Sequence, residues 1–475
     1  MLTKINNIFI LIFGAVLLQS AAILEQKYCK TEGNLGGIPG KTCSFIKGTK
    51  ITKPAKFIVS QSQNLHKLLR DKSSSGTIVT KLPEARKRFK SIDSGFTFNY
   101  QKGSRPKSGY ILLSLGDPNN DGSPLIELWD LNNQKKIHKW DLNTSEILKK
   151  INISKKDNAV RFLHPLLLND GSITITHLGG AIVKISPRGE LIKFNDEYIF
   201  HHSQEIDNQG KIYTPIHTLP EGYTDPNMKK LSYREGFAIL DQELNVLKTY
   251  ILKDIYEKAG LAHQIFSPDV PTDVFHLNDV QPIRNDKKTN VVLLSLRNQS
   301  NIIAFDLVNE KVLWILQGYS KFQHDVDILD SNGKIISIFD NNVNFNTMRS
   351  EGNKVLTIGN LPTLADTKKD GMKLFINNSN NSNQSKISVK EEKFNTLNNE
   401  LIPISPSNGR SEYIFNSDSL YIEETDYGRL FEYDTKDKKI LWQYINRNDF
   451  TNNYYITSWS RRYQDIPSTI KNISK

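Results

Sequence analysis

The stretch Val291-Val-Leu-Leu-Ser-Leu296, Ile302-Ile-Ala-Phe-Asp-Leu307, Lys311-Val-Leu-Trp314 decides the fold. It holds three short runs of β-branched and large apolar residues, separated by turns rich in Asn, Asp and Glu, with no sustained helical period. That is the pattern of an antiparallel meander. The same phrase stands earlier as Tyr110-Ile-Leu-Leu-Ser-Leu115, Leu125-Ile-Glu-Leu-Trp-Asp-Leu131 and a strand ending near Trp140. It returns later as Leu420-Tyr-Ile-Glu423, Arg429-Leu-Phe-Glu-Tyr-Asp434 and Lys439-Ile-Leu-Trp442, with weaker copies at Gly171 to Phe194 and Gly210 to Tyr250. In each copy an Asp or Ser can cap the turn while an apolar residue closes the next strand. Self-similarity on a scale of tens of residues is the mark of propeller blades. The fold expected is all-β: a six-bladed β-propeller preceded by an N-terminal extension.

Outside the repeats the chain divides by composition. Met1 to Asn7 carries one Lys and no acid, Ile8 to Leu18 is apolar, and Gln19-Ser20-Ala21-Ala22 supplies small residues for cleavage. Residues 1–22 read as a signal peptide, with an uncleaved membrane anchor as the alternative. The expected location is periplasmic or secreted, with no stable membrane span once the signal is removed. Residues 23–105 lack the repeated phrase and form an extension whose fold the sequence leaves open. Residues 106–462 are the expected propeller, interrupted at 376–399 by a polar insertion rich in Asn, Ser and Lys, and 463–475 form a tail. Cys29 and Cys43 suit an oxidising compartment and can close a short loop worth about 3 kcal/mol. Two free thiols are the alternative.

The whole chain of 475 residues is 38% hydrophobic and 24% charged, which excludes a disordered or collagen-like protein. Its formal net charge of +11 is scattered, without a finger, an RRM or a basic helix. Anions are favoured ligands; nucleic acid is not expected as a partner.

A second pattern rides on the blades. His164, His202, His276 and His324 each stand just ahead of a strand that opens a blade. Inner strands of a propeller start at one rim of the central channel, so equivalent positions converge there. Imidazole is a common metal ligand, but these spacings match no short zinc motif and no Cys pair or His-x-Glu reinforces them. No metal or cofactor is expected. A neutral His in a basic channel is alternatively a nucleophile toward an anionic electrophile, with Arg297 and the other imidazoles stabilising charge on the transferring oxygens.

The segments Val274-Phe-His-Leu-Asn-Asp-Val-Gln-Pro, Leu294-Ser-Leu-Arg-Asn298, Phe322-Gln-His-Asp325 and Ile338-Phe-Asp-Asn-Asn342, in this order, resemble the bacterial arylsulfate sulfotransferase family. Gly109-Tyr-Ile-Leu, Phe200-His-His202 and Ser458-Trp-Ser-Arg-Arg462 extend the likeness over roughly residues 106 to 462. The resemblance implies a periplasmic six-bladed propeller that moves a sulfuryl group from an aryl sulfate donor to a phenolic acceptor, without a nucleotide donor. It implies a ping-pong route through a sulfohistidine at His324. His276 and Arg297 are then expected to bind the sulfuryl oxygens, His202 (or its neighbour His201) to assist, and Asn278 to bind and orient. Two other classes compete: a non-catalytic ligand-binding or scaffold propeller of the envelope, and a quinoprotein-type propeller, for which no cysteine pair or calcium-carboxylate set is seen. A homodimer is compatible with the sequence.

Overall fold

In the repeated phrase the strands Val291–Leu296 and Asn301–Asp306 are buried along their whole length, on both faces. Alternate side chains serve two different neighbours. Val292, Leu294 and Leu296 pack with Tyr213, Phe237 and Tyr250, while Val291 and Leu293 pack with Val326, Ile336 and Ile338. A sheet sandwiched between two others needs continuous apolar runs in place of the usual alternation. Each such side chain contributes about 1.5–3 kcal/mol by leaving water. The computed structural model is accordingly an all-β, propeller-like arrangement of sheets stacked face to face. It describes residues 79–80 and 87–473, apart from 106–107, 121, 152–160, 178–179, 219–234, 267–273, 285–288, 345–346, 348, 364, 368–371, 377–386, 395–396, 398–400 and 415–417. The expected signal peptide and Cys29 and Cys43 lie outside the described residues, as does most of 23–105.

The sheets are built on antiparallel meanders, and Lys373–Ile376 adds a parallel strand beside Lys311–Gln317. One runs through Leu277–Pro282, Val291–Leu296, Asn301–Asp306 and Lys311–Gln317. Another runs through His324–Ile328, Ile336–Asp340, Lys354–Gly359 and Ser388–Glu392. A third runs through Arg410–Ile414, Ser419–Glu424, Arg429–Asp434 and Lys439–Ile445, and carries Gly95–Phe98 on its outer edge. An eight-stranded sheet joins the meander from Phe162–Leu167 to Leu191–Phe200 with the meander from Glu205–Ile206 to Val246–Ile251, through Phe200 opposite Ile216. The last sheet takes Tyr110–Gly116, Pro124–Asp130 and Lys135–Trp140 from early in the chain and Arg461–Tyr463 from late in it. This sheet is therefore completed by a pairing between segments far apart in the chain.

The turn after the second strand of the phrase is built the same way in three copies. Asp306 Oδ1 accepts from the amides of Val308 and Asn309 at 2.8 and 3.2 Å, Asp130 Oδ1 from Asn133 N at 2.8 Å, and Asp434 Oδ1 from Lys436 N and Asp437 N at 3.0 and 2.8 Å. Gln134, Glu310 and Lys438 then take positive φ at the matching position. These are Asx turns, read correctly from the Asp.

Segments outside the repeated phrase also become strands. Gly95–Phe98 belongs to the stretch without the phrase, and Ser388–Glu392 to the polar insertion. Four of the five side chains of Ser388–Glu392 are exposed, so its polar composition reports solvated side chains while its backbone pairs with Lys354–Gly359. The helix Ser468–Ile473 in the tail buries Ile470 against the strands around Leu167 and Ile173.

Candidate active site

The backbone first decides where the site is. Trp459, His164, His202, His276 and Asp325 all have φ between 47° and 59°, and Gly409 has φ 119°. Each stands at the start, or in the bulge, of the innermost strand of its meander. A left-handed non-glycine residue costs about 1–2 kcal/mol, and buried carboxylates offset that cost. Glu235 accepts from the amides of His276 and Leu277 at 3.0 and 2.6 Å. Glu423 does the same for Trp459 and Ser460 at 2.8 and 2.7 Å. Hydrogen bonds to a charged acceptor stabilise by about 1.5–3 kcal/mol each. At Trp459, His202 and His276 the kink turns the side chain toward one place, and the bulge at Asp325 does the same for the preceding His324.

Three of the four recurring histidines meet there. Ring nitrogens of His202, His276 and His324 lie within 4.8 Å of one another. The ring centroids are 5.0 Å apart for His202 and His276, and 6.3 Å for each of these with His324. Trp459 closes one side, its ring 6.0 Å from both His202 and His324. His164 shares the backbone position but not the site. It is wholly buried, accepts from Gln204 N at Nδ1 (3.1 Å), and has Nε2 2.6 Å from Arg410 Nη1. Arg410, Arg461 and Glu205 surround it in a buried ionic network.

His324 is held in one tautomer. Its Nδ1 lies 2.8 Å from Asn341 Oδ1, and the Asn341 amide donates to the carbonyls of Ser405 and Asn408 at 2.5 and 2.8 Å. With Asn341 thus fixed as acceptor, Nδ1 carries the proton and Nε2 the lone pair. Nε2 is buried without a hydrogen-bond partner. Burial first, and then the guanidinium of Arg297, hold the His324 imidazole well below the usual histidine range, so it is neutral at neutral pH. Burial and then His276 do the same to His202. His202 Nδ1 is 2.8 Å from His201 Nδ1.

Arg297 follows the strand Val291–Leu296 and donates its backbone N–H to His276 O at 3.0 Å, which sets it beside that histidine. Its guanidinium lies 4.9 Å over the Phe322 ring and donates to Asn298 Oδ1 at 2.8 Å. Asn278 sits one layer below: it is fully buried and donates to Gln323 O at 2.8 Å, bracing the turn that presents His324. The sequence-predicted residues therefore come together as His202, His276, His324 and Arg297 around one space, with Asn278 supporting it.

Sequence reasoning assigned no part to Asn341, Glu235 or Trp459. Asn341 and Trp459 stand inside motifs quoted for the resemblance, but only tertiary contacts reveal their partners. A second group, His201, His217 and Glu235, also has ligand atoms within 4.8 Å of one another, so the described residues hold two clusters able to approach a cation. No helix among the described residues is long and apolar enough to cross a membrane.

No curated protein matches the chain. Among solved structures, similarity extends to a protein of unknown function from Bacteroides caccae (12% identity, 74% of this chain and 98% of that one, TM-score 0.43). It extends also to the β-propeller domain of Cps50 (Swd1) from Myceliophteria thermophila (10%, 74% and 98%, TM-score 0.35) and to the C-terminal WD40 domain of Sif2 (10%, 74% and 72%, TM-score 0.34). The family model described as arylsulfotransferase (ASST) matches residues 188–447, more than half of the chain and the whole stretch that carries His202, His276, Arg297 and His324. The chain belongs to the arylsulfotransferase family.

Proposed function

We propose that the protein moves a sulfuryl group from an aryl sulfate to a phenolic acceptor by a ping-pong route, with His324 Nε2 as the nucleophile and no nucleotide donor. One observation carries this reading: the His324 lone pair is buried, fixed in direction by Asn341, and faces two further imidazoles beside an arginine. In the first half-reaction Nε2 attacks sulfur, the bond from sulfur to the aryl oxygen breaks, and its electron pair leaves with the phenolate. In the second, the acceptor oxygen attacks sulfur and the N–S bond breaks, returning the pair to Nε2. Charge spreads over the sulfuryl oxygens in both, so preorganised donors contribute most of the stabilisation. His276, His202 and Arg297 supply them, and Asn278 keeps the His324 turn in place.

The proposal extends to architecture and location. Six kinked positions, from Trp459 round to Gly409, each lead an inner strand, which supports six blades over residues 106–462. The apolar run Ile8 to Leu18, followed by small residues at 20–22, supports a signal peptide and a periplasmic or secreted site of action. The test is transfer from a chromogenic aryl sulfate to phenol by the full-length protein, compared with His324→Ala. The reading expects a loss of several orders of magnitude, and a sulfuryl mass increment, labile in acid, on the peptide containing His324 after donor alone. Wild-type rates equal to the variant's would reject it, and binding without turnover would leave a ligand-binding propeller.

A further inference from the structure

We infer that His202, His276 and His324 form a site for a borderline divalent cation such as Zn²⁺, Co²⁺ or Cu²⁺, and that its occupancy switches off the transfer reaction proposed above, on which only this second part rests. The three ring nitrogens within 4.8 Å of one another come from three separate strands, each imidazole placed by its own backbone kink or bulge. The rings are inclined to one another by 72°, 77° and 37°, so their in-plane lone pairs can converge on one point.

Two of the three have the outer partner that metal-binding histidines use. A ligating imidazole donates its other N–H to a carbonyl, a carboxylate or a similar acceptor, which fixes the ring and raises its basicity. Nδ1 of His324 donates to Asn341 Oδ1, and Nδ1 of His202 meets His201 Nδ1, both at 2.8 Å. Nε2 of His324 is then a ligand atom, as is Nε2 of His202 in the tautomer whose Nδ1 donates to His201. Three imidazoles and one open position make the donor set of a catalytic-type zinc site. With no carboxylate or thiolate among the three, such a set selects imidazole-binding transition metals over Mg²⁺ and Ca²⁺.

The neighbouring group His201, His217 and Glu235 fits a cation less well. The His201 and His217 rings are stacked 4.4 Å apart at 22°, so their in-plane lone pairs run side by side. Glu235 is already engaged by two backbone amides.

Coordination and catalysis exclude each other on the same atom. A cation that takes the His324 Nε2 lone pair leaves none to attack sulfur, and the bound ion fills the space where the sulfuryl oxygens would sit. The metal acts here as an occupant of the site, and the transfer chemistry runs without it.

The test titrates Co²⁺ into chelator-treated full-length protein and follows visible absorption, alongside aryl sulfate transfer with and without Zn²⁺. The inference expects one equivalent bound, with the strong bands of a four-coordinate ion. His276→Ala should lose those bands while keeping the wild-type circular dichroism and melting temperature; His217→Ala should retain them. Zn²⁺ should abolish transfer in proportion to the loaded fraction, and a chelator should restore it. No bands in a protein that transfers sulfate overturns the inference and leaves the sulfotransferase reading standing. Bands lost in His217→Ala but kept in His276→Ala put the ion in the neighbouring group and overturn it too. Bands as expected without transfer under any condition uphold the site and reject the sulfotransferase reading, whereas full transfer by zinc-loaded protein overturns the switch.

Discussion

The Nδ1 of His324 lies 2.8 Å from the Oδ1 of Asn341, a residue of the adjacent strand's end whose own amide is tied to two backbone carbonyls. Removing that acceptor frees the ring to rotate and lets the proton move to Nε2. Asn341→Leu should lower kcat/KM by roughly 10- to 100-fold, the kinetic equivalent of one lost hydrogen bond to a buried donor. Asn341→Asp, which keeps an acceptor at that point, should lose less than Asn341→Leu. Equal losses in the two variants would show that the oxygen does not position His324.

Burial and Arg297 hold His324 below 6.5, and burial with His276 does so for His202. The protonated fraction of His324 is therefore small throughout the neutral range. The acid limb of a plot of kcat/KM against pH should fall below 6.5, with no loss between that pH and neutrality. Arg297→Gln removes the second cause of the shift and should move the limb toward 6.5 as well as lowering the rate. An acid limb at or above 6.5 in the wild type would contradict this environment.

Glu235 anchors two consecutive amides at His276 and Leu277. Glu235→Ala leaves both donors unmet in a buried place, which costs about 1–3 kcal/mol for each. A lowered denaturation midpoint with an unchanged slope against denaturant is the expected result. Glu235→Gln keeps one acceptor oxygen and should fall between the two. A midpoint that does not move would mean that the kink at His276 is held by other contacts.

The acids beneath the site are displaced the other way. Burial, and then the nearby charge of Asp325, push Asp279 up to about 8, and burial raises Asp325 to about 6. Both bind more protons folded than unfolded between the ordinary carboxylate range and these values, so folding stability from this pair falls as pH rises from about 4 to about 8. Asp279→Asn should flatten that slope, as read from melting temperatures across the interval. A slope as steep as that of the wild type would place the proton elsewhere.

Much of this arrangement is legible in the chain because it is local. The buried strands around Val291 and Ile302 announce themselves as unbroken apolar runs, the Asp of each Asx turn sits at a fixed offset, and His202, His276 and His324 share one phase of the repeat. What is not legible depends on partners far away in sequence. Gly95–Phe98 becomes a strand only because Lys439–Ile445 offers it an edge, and Ser388–Glu392 hides its pairing behind solvated side chains. The phase also misplaced one residue: His164 has the backbone of the set, but Arg410 and Glu205 claim its ring. Asn341 and Trp459 could be seen as motif members, while their contacts with His324 arise only from tertiary packing.

Trp459, whose indole walls two of the three imidazoles, precedes by two residues the strand Arg461–Tyr463 that zips onto Tyr110–Gly116. Pairing the late strand with the early one and walling the imidazole cluster are consequently the work of one short stretch of chain. During synthesis His202 and His324 emerge well before Trp459, so a nascent chain holds both rings without their wall. Any change that loosens this seam also shifts the indole beside them.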